Sequence, residues 1–551
     1  MNSEKKRPRA GFAVLVAAGI FLTRISGFVR LKIFTHYLGT SDAAGVFSSA
    51  YRIPNFLQNL FGEGVLSASF IPVYARLLAE GDEETAGRVA GIIASLLALA
   101  VAIIVLVCVI ITPWILFVIA PGFTGAVRQL TIEVVRILFP GIGLLVMSAW
   151  CLGILNSHHR FFLPYIAPVF MNIAQIATLV IFGTRLRQAD LAVALAWGAV
   201  AGAVLQFGIQ VPFVFRYDKK IRFALETTLA PVREVLRNFT PVVVGRGVVQ
   251  LSAYLDNILS TLLGTAAAAS IFYAQTIAIL PVSLFGMSVA AAELPQMSSA
   301  VGSDEEIFAA LRKRMERGLR QIAFFVVPTV VAFIAIGKAI IGALLQGGQF
   351  HGNDAQCVWY ILIGSTLGLL AVTLGRLYSS AFYALRDTKT PLRFAMIRVA
   401  LTGLLGYLFA IPLRPLLIDA LQLAHVPLPP IQGTLKPYGA IALTATAGIA
   451  GWLEFMLLRR ALGRRIGAVP LSRAYLGKLW ASAIAAGVAG ATFYVYVIPR
   501  IGAYLPRVFP NIRNGIIVCG LFGVIYFAAT TLLNVPESRA TLGRFLLRSR
   551  S

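Results

Sequence analysis

From Gly11 to the C-terminal end, long apolar stretches alternate with short polar breaks. Each stretch is long enough, at 1.5 Å per helical residue, to cross a hydrocarbon core of roughly 30 Å. The pattern predicts about fourteen spanning helices, near 11–38, 43–75, 89–119, 126–155, 161–183, 190–215, 238–263, 267–299, 318–345, 355–384, 391–413, 437–458, 476–499 and 512–534. The fold class it implies is an all-α polytopic membrane protein.

The spans are not independent of one another. Leu38-Gly39-Thr40 recurs as Leu263-Gly264-Thr265, Leu60-Phe61-Gly62 as Leu284-Phe285-Gly286, and Pro72 as Pro295, at a common offset of about 224. GDEE at Gly81 to Glu84 and SDEE at Ser303 to Glu306 extend the match, as do the turns Asn156 to Pro164 and Tyr383 to Pro391. The offset equals six spans, an even number, so the copies share one orientation in the membrane. The expected organisation is two parallel six-helix lobes, residues 1–230 and 231–465, followed by a helix pair in 466–551. Two-lobed repeats with charge at the seam are a common construction of alternating-access transporters. Pro54, Gly62, Gly64, Gly245, Gly247, Pro281 and Gly286 interrupt particular spans and are candidate hinges, cavity walls or close-packing points.

Composition sharpens this picture. The 551 residues are 58% hydrophobic and 13% charged, with a mean hydropathy of +0.81, which excludes a soluble multidomain protein. The net charge of +25 is explained by topology without a nucleic-acid partner. With a cytoplasmic N-terminus, about 31 Lys and Arg fall in cytoplasmic segments, about 8 in external loops and about 9 within spans. Both termini are therefore expected in the cytoplasm. The first apolar run, with its internal arginines and no small-residue cleavage site, reads as a retained span and not as a signal peptide. Cys108, Cys151, Cys357 and Cys519 lack metal or redox spacing and read as packing residues. No metal or cofactor is implied, and no phosphate-binding ATPase loop is present.

The charges inside the spans carry the chemistry. An arginine at the centre of a span costs about 2.5 to 3.5 kcal/mol, so the deep ones should face a cavity or partner. Lys32, Lys338 and Arg398 are shallow enough to snorkel, and Arg136 has Glu133 three residues away as a local partner. Arg24, Arg30 and Arg52 cluster on the first two spans with few acids near them, Asp42 at an external end and Glu63 deeper in. Arg24 and Arg30 lie about 120° apart around the helix. Both reach a wide aqueous cavity most easily if the helix loosens at Ser26 and Gly27. A positive cavity implies an anionic substrate, and forked guanidinium donors suit phosphate. A cation-coupled drug exporter would use isolated acids instead, for which Glu63, Asp256 and Glu293 are the candidates.

TRISGFVR (Thr23 to Arg30), the stretch Ser41 to Tyr74, APGF (Ala120 to Phe123) and Leu155 to Asn172 resemble the MurJ (MviN) family of lipid II flippases, in the multidrug, oligosaccharidyl-lipid and polysaccharide exporter superfamily. The resemblance implies two six-helix lobes around a cationic cavity and a terminal helix pair forming a groove for a lipid tail. It implies translocation of an undecaprenyl-diphosphate-linked peptidoglycan precursor to the outer face of the bacterial inner membrane by alternating access. Expected partners are that lipid, membrane lipids and cell-wall synthesis proteins. It matches Arg24, Arg30 and Arg52 to basic cavity positions and Asp42 and Glu63 to acidic ones, with Pro54 and Asn55 beside Arg52. Leu31, Gln58 and Thr276 depart from charged residues found in members of the family. Arg246, between Gly245 and Gly247, is then a candidate for the charge missing at Thr276, with pairing to Asp256 as its alternative. A flippase for another polyprenyl-linked glycan and a drug exporter remain the competing transport readings. A membrane-embedded glycosyltransferase would need acid or histidine clusters on outer loops, where Pro412 to Lys436 offers only Asp419 and His425.

Overall fold

The computed structural model describes residues 9–290, 293, 297, 303–423, 437–469, 471–501 and 509–539, with side chains described apart from 9–17, 56, 63, 240–242, 244–253, 304, 421 and 437. His425 lies outside the described residues. In chain order the helices are α1 (Arg9–Leu38), α2 (Asp42–Phe61), α3 (Glu63–Ala79), α4 (Glu83–Ile119), α5 (Gly125–Ser157), α6 (Phe162–Phe182), α7 (Gln188–Gly208), α8 (Val211–Tyr217), α9 (Ala230–Leu262) and α10 (Thr265–Pro281). A π-helical turn, Val282–Met287, follows α10. Then come α11 (Asp304–Ala335), α12 (Gly337–Leu345), α13 (Gly352–Ala384), α14 (Lys389–Ala410), α15 (Arg414–Leu423), α16 (Pro437–Ile466), α17 (Arg473–Thr492), a second π turn (Phe493–Val497), α18 (Ile498–Ile501) and α19 (Pro510–Leu532).

Among the described residues, eleven helices are long and apolar enough to cross a membrane. The first, second and seventh expected spans are not among the eleven, and these are the spans that carry Arg24, Arg52 and Arg246. α1 nevertheless runs unbroken for 30 residues, about 45 Å, and does not loosen at Ser26 and Gly27. The second expected span is divided at Gly62, whose ψ of −149° leaves the helix while its N–H bonds the Gln58 carbonyl at 2.8 Å. A Cβ on Gly62 would lie 2.2 Å from that carbonyl oxygen, so the break needs glycine. In the eighth span, Pro281 opens the backbone into the π turn, and Gly286 brings it against Thr373 of α13.

The internal repeat extends to the backbone. Gly39 and Gly264 both take positive φ, +55° and +100°, just after a helix end, as Leu-Gly-Thr requires for a left-handed cap. His159 and Arg386, at matching places in the two related turns, both have φ of 59°. Asp82 and Ser303 cap the helices that follow, and Ser303 forms a capping box with Glu306.

The chain forms two compact units, Met1–Ala269 with Gly347–Phe350, and Ser270–Gln346 with His351–Ser551. In the first, α5 packs against α2, α4 and α7, while α6 lies against α1 and α7. Small residues permit the close approaches: Gly198 and Gly202 of α7 meet Thr178 and Met171 of α6. A core of Phe70, Tyr74, Ile93, Trp150 and Ile154 fills the space between α3, α4 and α5. In the second unit, Gly364 and Gly368 of α13 face Thr444 and Gly448 of α16. The helices outside the repeat, α17 and α19, share a core with α11 and α12 through Phe324, Ile336, Leu479 and Phe522. The Tyr526 hydroxyl donates to the Phe324 carbonyl at 2.7 Å across that contact.

The four cysteines are free, but only Cys151 and Cys357 are buried packing residues; Cys108 is half-buried and Cys519 is exposed on α19.

Candidate functional site

The first unit places its cations through the packing of α1 on α6. Gly19, Thr23, Ser26, Gly27 and Arg30 recur at helical spacing and face α6. A Cβ on Gly19 would stand 2.9 Å from the Tyr165 side chain, and Thr23 donates to the Tyr165 carbonyl at 2.9 Å. Ser26 donates to the Thr23 carbonyl and accepts from Asn172 at 2.9 Å, beside Gly27. One helical turn on, Arg30 Nη1 donates to Gln175 Oε1 at 2.8 Å, and its guanidinium lies 5.8 Å from the Tyr51 ring centre. Arg30 is thus held by neutral groups. Its buried Nε and the buried Nε2 of Gln175 have no protein hydrogen-bond partner among the described residues.

Arg24 projects from a different side of α1 into a cavity of about 230 Å³ whose polar wall is Thr23, Gln58, Ser148 and Gln206. Ser148 accepts from Gln210 at 2.6 Å and from Gln206 at 3.3 Å, and the buried Oε1 atoms of both glutamines have no donor among the described residues. Among the described residues no carboxylate pairs with Arg24 or Arg30. The cavity therefore combines a full positive charge with amide and hydroxyl groups able to exchange hydrogen bonds with a polar guest.

Arg52 is placed differently. It is half-buried on α2, and Asp256 and Tyr254 of α9 act on it electrostatically. The Tyr254 hydroxyl reaches the carbonyls of Arg52 and Ile53 at 3.1 and 3.4 Å, just before buried Pro54 and half-buried Asn55. Asp42, in the first turn of α2, accepts a hydrogen bond from the Thr265 hydroxyl. Gly45, one turn later, touches the backbone of the same threonine: a Cβ there would lie 2.3 Å from its carbonyl oxygen. Asp256 thus acts electrostatically on Arg52 and Asp42 meets Thr265, while the cavity lined by Arg24 is lined by neither Arg30 nor Arg52. The side chains of Glu63 and Arg246 are outside those described, and Gly245 and Gly247 lie within α9, which runs unbroken from Ala230 to Leu262.

Other charged positions correct the sequence reading. Arg136 donates to the Val109 carbonyl of α4 at 3.1 Å and makes no ion pair with Glu133 among the described residues. Arg398 pairs with Glu454 of α16 at 3.3 Å, a partner that its place in the span did not reveal. Lys338 donates to Gln356 at 3.2 Å, and Glu293 pairs with Arg314 at 3.6 Å. Two of the three acids an exporter would use therefore lie beside arginines.

At the basic end of the first unit, Tyr74 of α3 donates to Asp218 Oδ2 at 2.9 Å. Its only proton being used, the hydroxyl accepts from His158 Nε2 at 3.0 Å. Partial burial holds the His158 imidazole below its ordinary pKa, an effect Asp218 and Glu83 oppose and His159 adds to. Lys220 bonds Asp218 through its N–H and Glu83 through its ammonium, and Arg160 covers the Tyr217 ring.

The polar partners were the part that sequence reasoning missed. Gln175 and Gln206 are amides within apolar helices, and Gln210 sits in the turn between two of them; a polar amide in an apolar stretch is the signal that marks them.

Residues 34–425 match the family model described as "Lipid II flippase MurJ". A Burkholderia cenocepacia protein named "Lipid II flippase MurJ" is 29% identical over 405 residues, covering 72% of this chain and 78% of that one. A Rhizobium meliloti "Probable lipid II flippase MurJ" is 29% identical over 519 residues, 92% of this chain and 90% of its own. Among solved structures, a lipid II flippase MurJ in an inward closed conformation superposes with a TM-score of 0.72 at 20% identity, over 94% of this chain and 98% of that chain. An inward-facing multidrug resistance MATE family transporter of the MOP superfamily gives 0.59 at 17% identity, over 82% and 99%.

Proposed function

The chain belongs to the lipid II flippase MurJ family, a family of multi-pass transporters of the bacterial inner membrane, and from that premise we propose that it carries lipid II from the inner to the outer face of that membrane by alternating access. The observation that carries the proposal is that, among the described residues, no carboxylate pairs with Arg24 or Arg30 on α1, and Arg30 is held by neutral Gln175. A guanidinium inside a spanning bundle and unpaired with a carboxylate is stabilised by an anion, and a diphosphate offers the geometry that arginine forks match.

Arg24 and Arg30 make the principal contacts to the diphosphate in this reading, with Arg52 poised by Asp256 and Arg246 replacing the charge absent at Thr276. Asp42 with Thr265 acts as a gate at the outer end of α2, Pro54 and Asn55 supply the compliance of α2, and Glu63 lines the cavity. The lipid-exposed faces of α17 and α19 guide the polyprenyl tail. The positive-inside charge bias places both termini in the cytoplasm, and a terminal tag digested by protease in intact spheroplasts would reject that.

Depleting the protein in its host should make lipid II accumulate in the inner leaflet. Expression of Arg24→Ala, Arg30→Ala or Arg246→Ala should restore about one tenth or less of wild-type flipping, because a charge-assisted contact contributes about 1.5 to 3 kcal/mol. Accumulation of a different lipid-linked glycan would reassign the substrate. Wild-type flipping by the arginine variants, with normal protein levels, would remove the site.

A further inference from the structure

The second unit holds a basic pocket that the flippase reading does not use. At the end of α16, Met456, Arg459, Arg460, Gly463, Arg464 and Gly467 recur at spacings of three and four and line one side of a pocket of about 340 Å³. Gly467, at φ of +86°, turns the chain back so that Val469 forms an opposite wall, and buried Tyr378 of α13 closes the floor. Arg312 of α11 donates to the Ile466 carbonyl beside the turn and fixes it there.

Charge and surroundings define what the pocket accepts. Arg465 points away and pairs with Asp387 at 2.9 Å. Arg459, Arg460 and Arg464 are exposed, and none is paired with a carboxylate among the described residues. Cations complement the negative end of a helix dipole, but that effect acts within the last turn, and Arg459 and Arg460 lie further back. Just before them, Leu453 and Met456 are exposed apolar side chains on a membrane-spanning helix. Arginines thus begin where the apolar surface ends, the level of a lipid headgroup.

We propose that this pocket binds the phosphodiester headgroup of an anionic phospholipid in the leaflet facing this end of α16, with its acyl chain along Leu453 and Met456. The arginine forks meet the phosphate oxygens, and the apolar floor accepts the glycerol carbons. This site is separate from the proposed substrate site in the first unit and does not depend on it.

Native mass spectrometry of the full-length protein titrated with dioleoylphosphatidylglycerol or dioleoylphosphatidylcholine tests the assignment. One phosphatidylglycerol should bind with a defined Kd, and R459Q/R460Q/R464Q should weaken it on the order of a hundred-fold, at about one kcal/mol per basic residue near a membrane surface. R216Q/K219Q/R237Q, which removes equal charge from the first unit, should leave it unchanged. Equal loss in both triple variants would make the attraction a diffuse surface effect and overturn the site, as would retention in the pocket variant. Equal affinity for phosphatidylcholine, or for soluble glycerophosphoglycerol, would overturn the anionic-lipid assignment. Should the pocket variant fail to fold, photoactivatable phosphatidylglycerol on the wild-type protein decides: labelling within 453–469 supports the site, and labelling elsewhere alone refutes it.

Discussion

Tyr74, His158 and Asp218 illustrate how single side chains set conditions on the structure around them. The three come from α3, the end of α5 and the loop after α8, and Tyr74 bridges the other two at 2.9 and 3.0 Å. Burial favours neutral His158, so its folded pKa lies below the unfolded value of about 6.5. As pH falls through that unfolded value the unfolded chain takes up the proton first. The stabilisation is therefore complete above about pH 6.5 and declines toward the lower folded value. Thermal unfolding of the detergent-solubilised protein should show less stability at pH 5.5 than at pH 7.5, and His158→Gln should reduce that difference. An unchanged difference in the variant would remove His158 as its source. Arg24 and Arg30 were legible at this scale because charge inside an apolar run is costly. Gln175, the partner of Arg30, was not, because the two are 145 positions apart and meet only through the packing of α1 on α6.

Helices and turns follow the apolar periodicity closely where a run is uniform, as in α4, α5 and α13. The Leu-Gly-Thr repeat also carried real backbone information, since both glycines adopt left-handed φ. The division of α2 from α3 falls at Gly62, one of the glycines that mark the second span as interrupted; that the helix ends there is shown by its ψ of −149° and its close approach to Gln58. A second close approach supports a prediction. In the hairpin 347–350, Gly348 has φ of +56° and a Cβ there would lie 2.2 Å from the His36 carbonyl, which accepts the Gln349 N–H at 2.8 Å. Gly348→Ala should destabilise the hairpin by about 1 to 3 kcal/mol, read as faster hydrogen exchange at the Gln349 amide. Wild-type exchange there would show that the turn adapts.

Across the whole molecule, the helical membrane architecture was readable from the recurrence of long apolar runs, and membership of the flippase family agrees with it. The makeup of the compact units was not readable, because Gly347–Phe350 is sequence-distant from the unit it completes. That hairpin has a consequence for biogenesis. About 77 residues separate Ala269 from Gly347, so at roughly 5 to 20 residues per second the ribosome needs about 4 to 15 seconds to supply the missing piece. Until then the C-terminal end of α1 lacks the hairpin that packs on Gly39 and the His36 carbonyl. Membrane-inserted chains ending at Gln346 should be cut by protease near Gly39 faster than chains ending at His351, and equal cutting would refute the dependence. The first unit of this transporter is thus finished on a schedule set by translation of the second half.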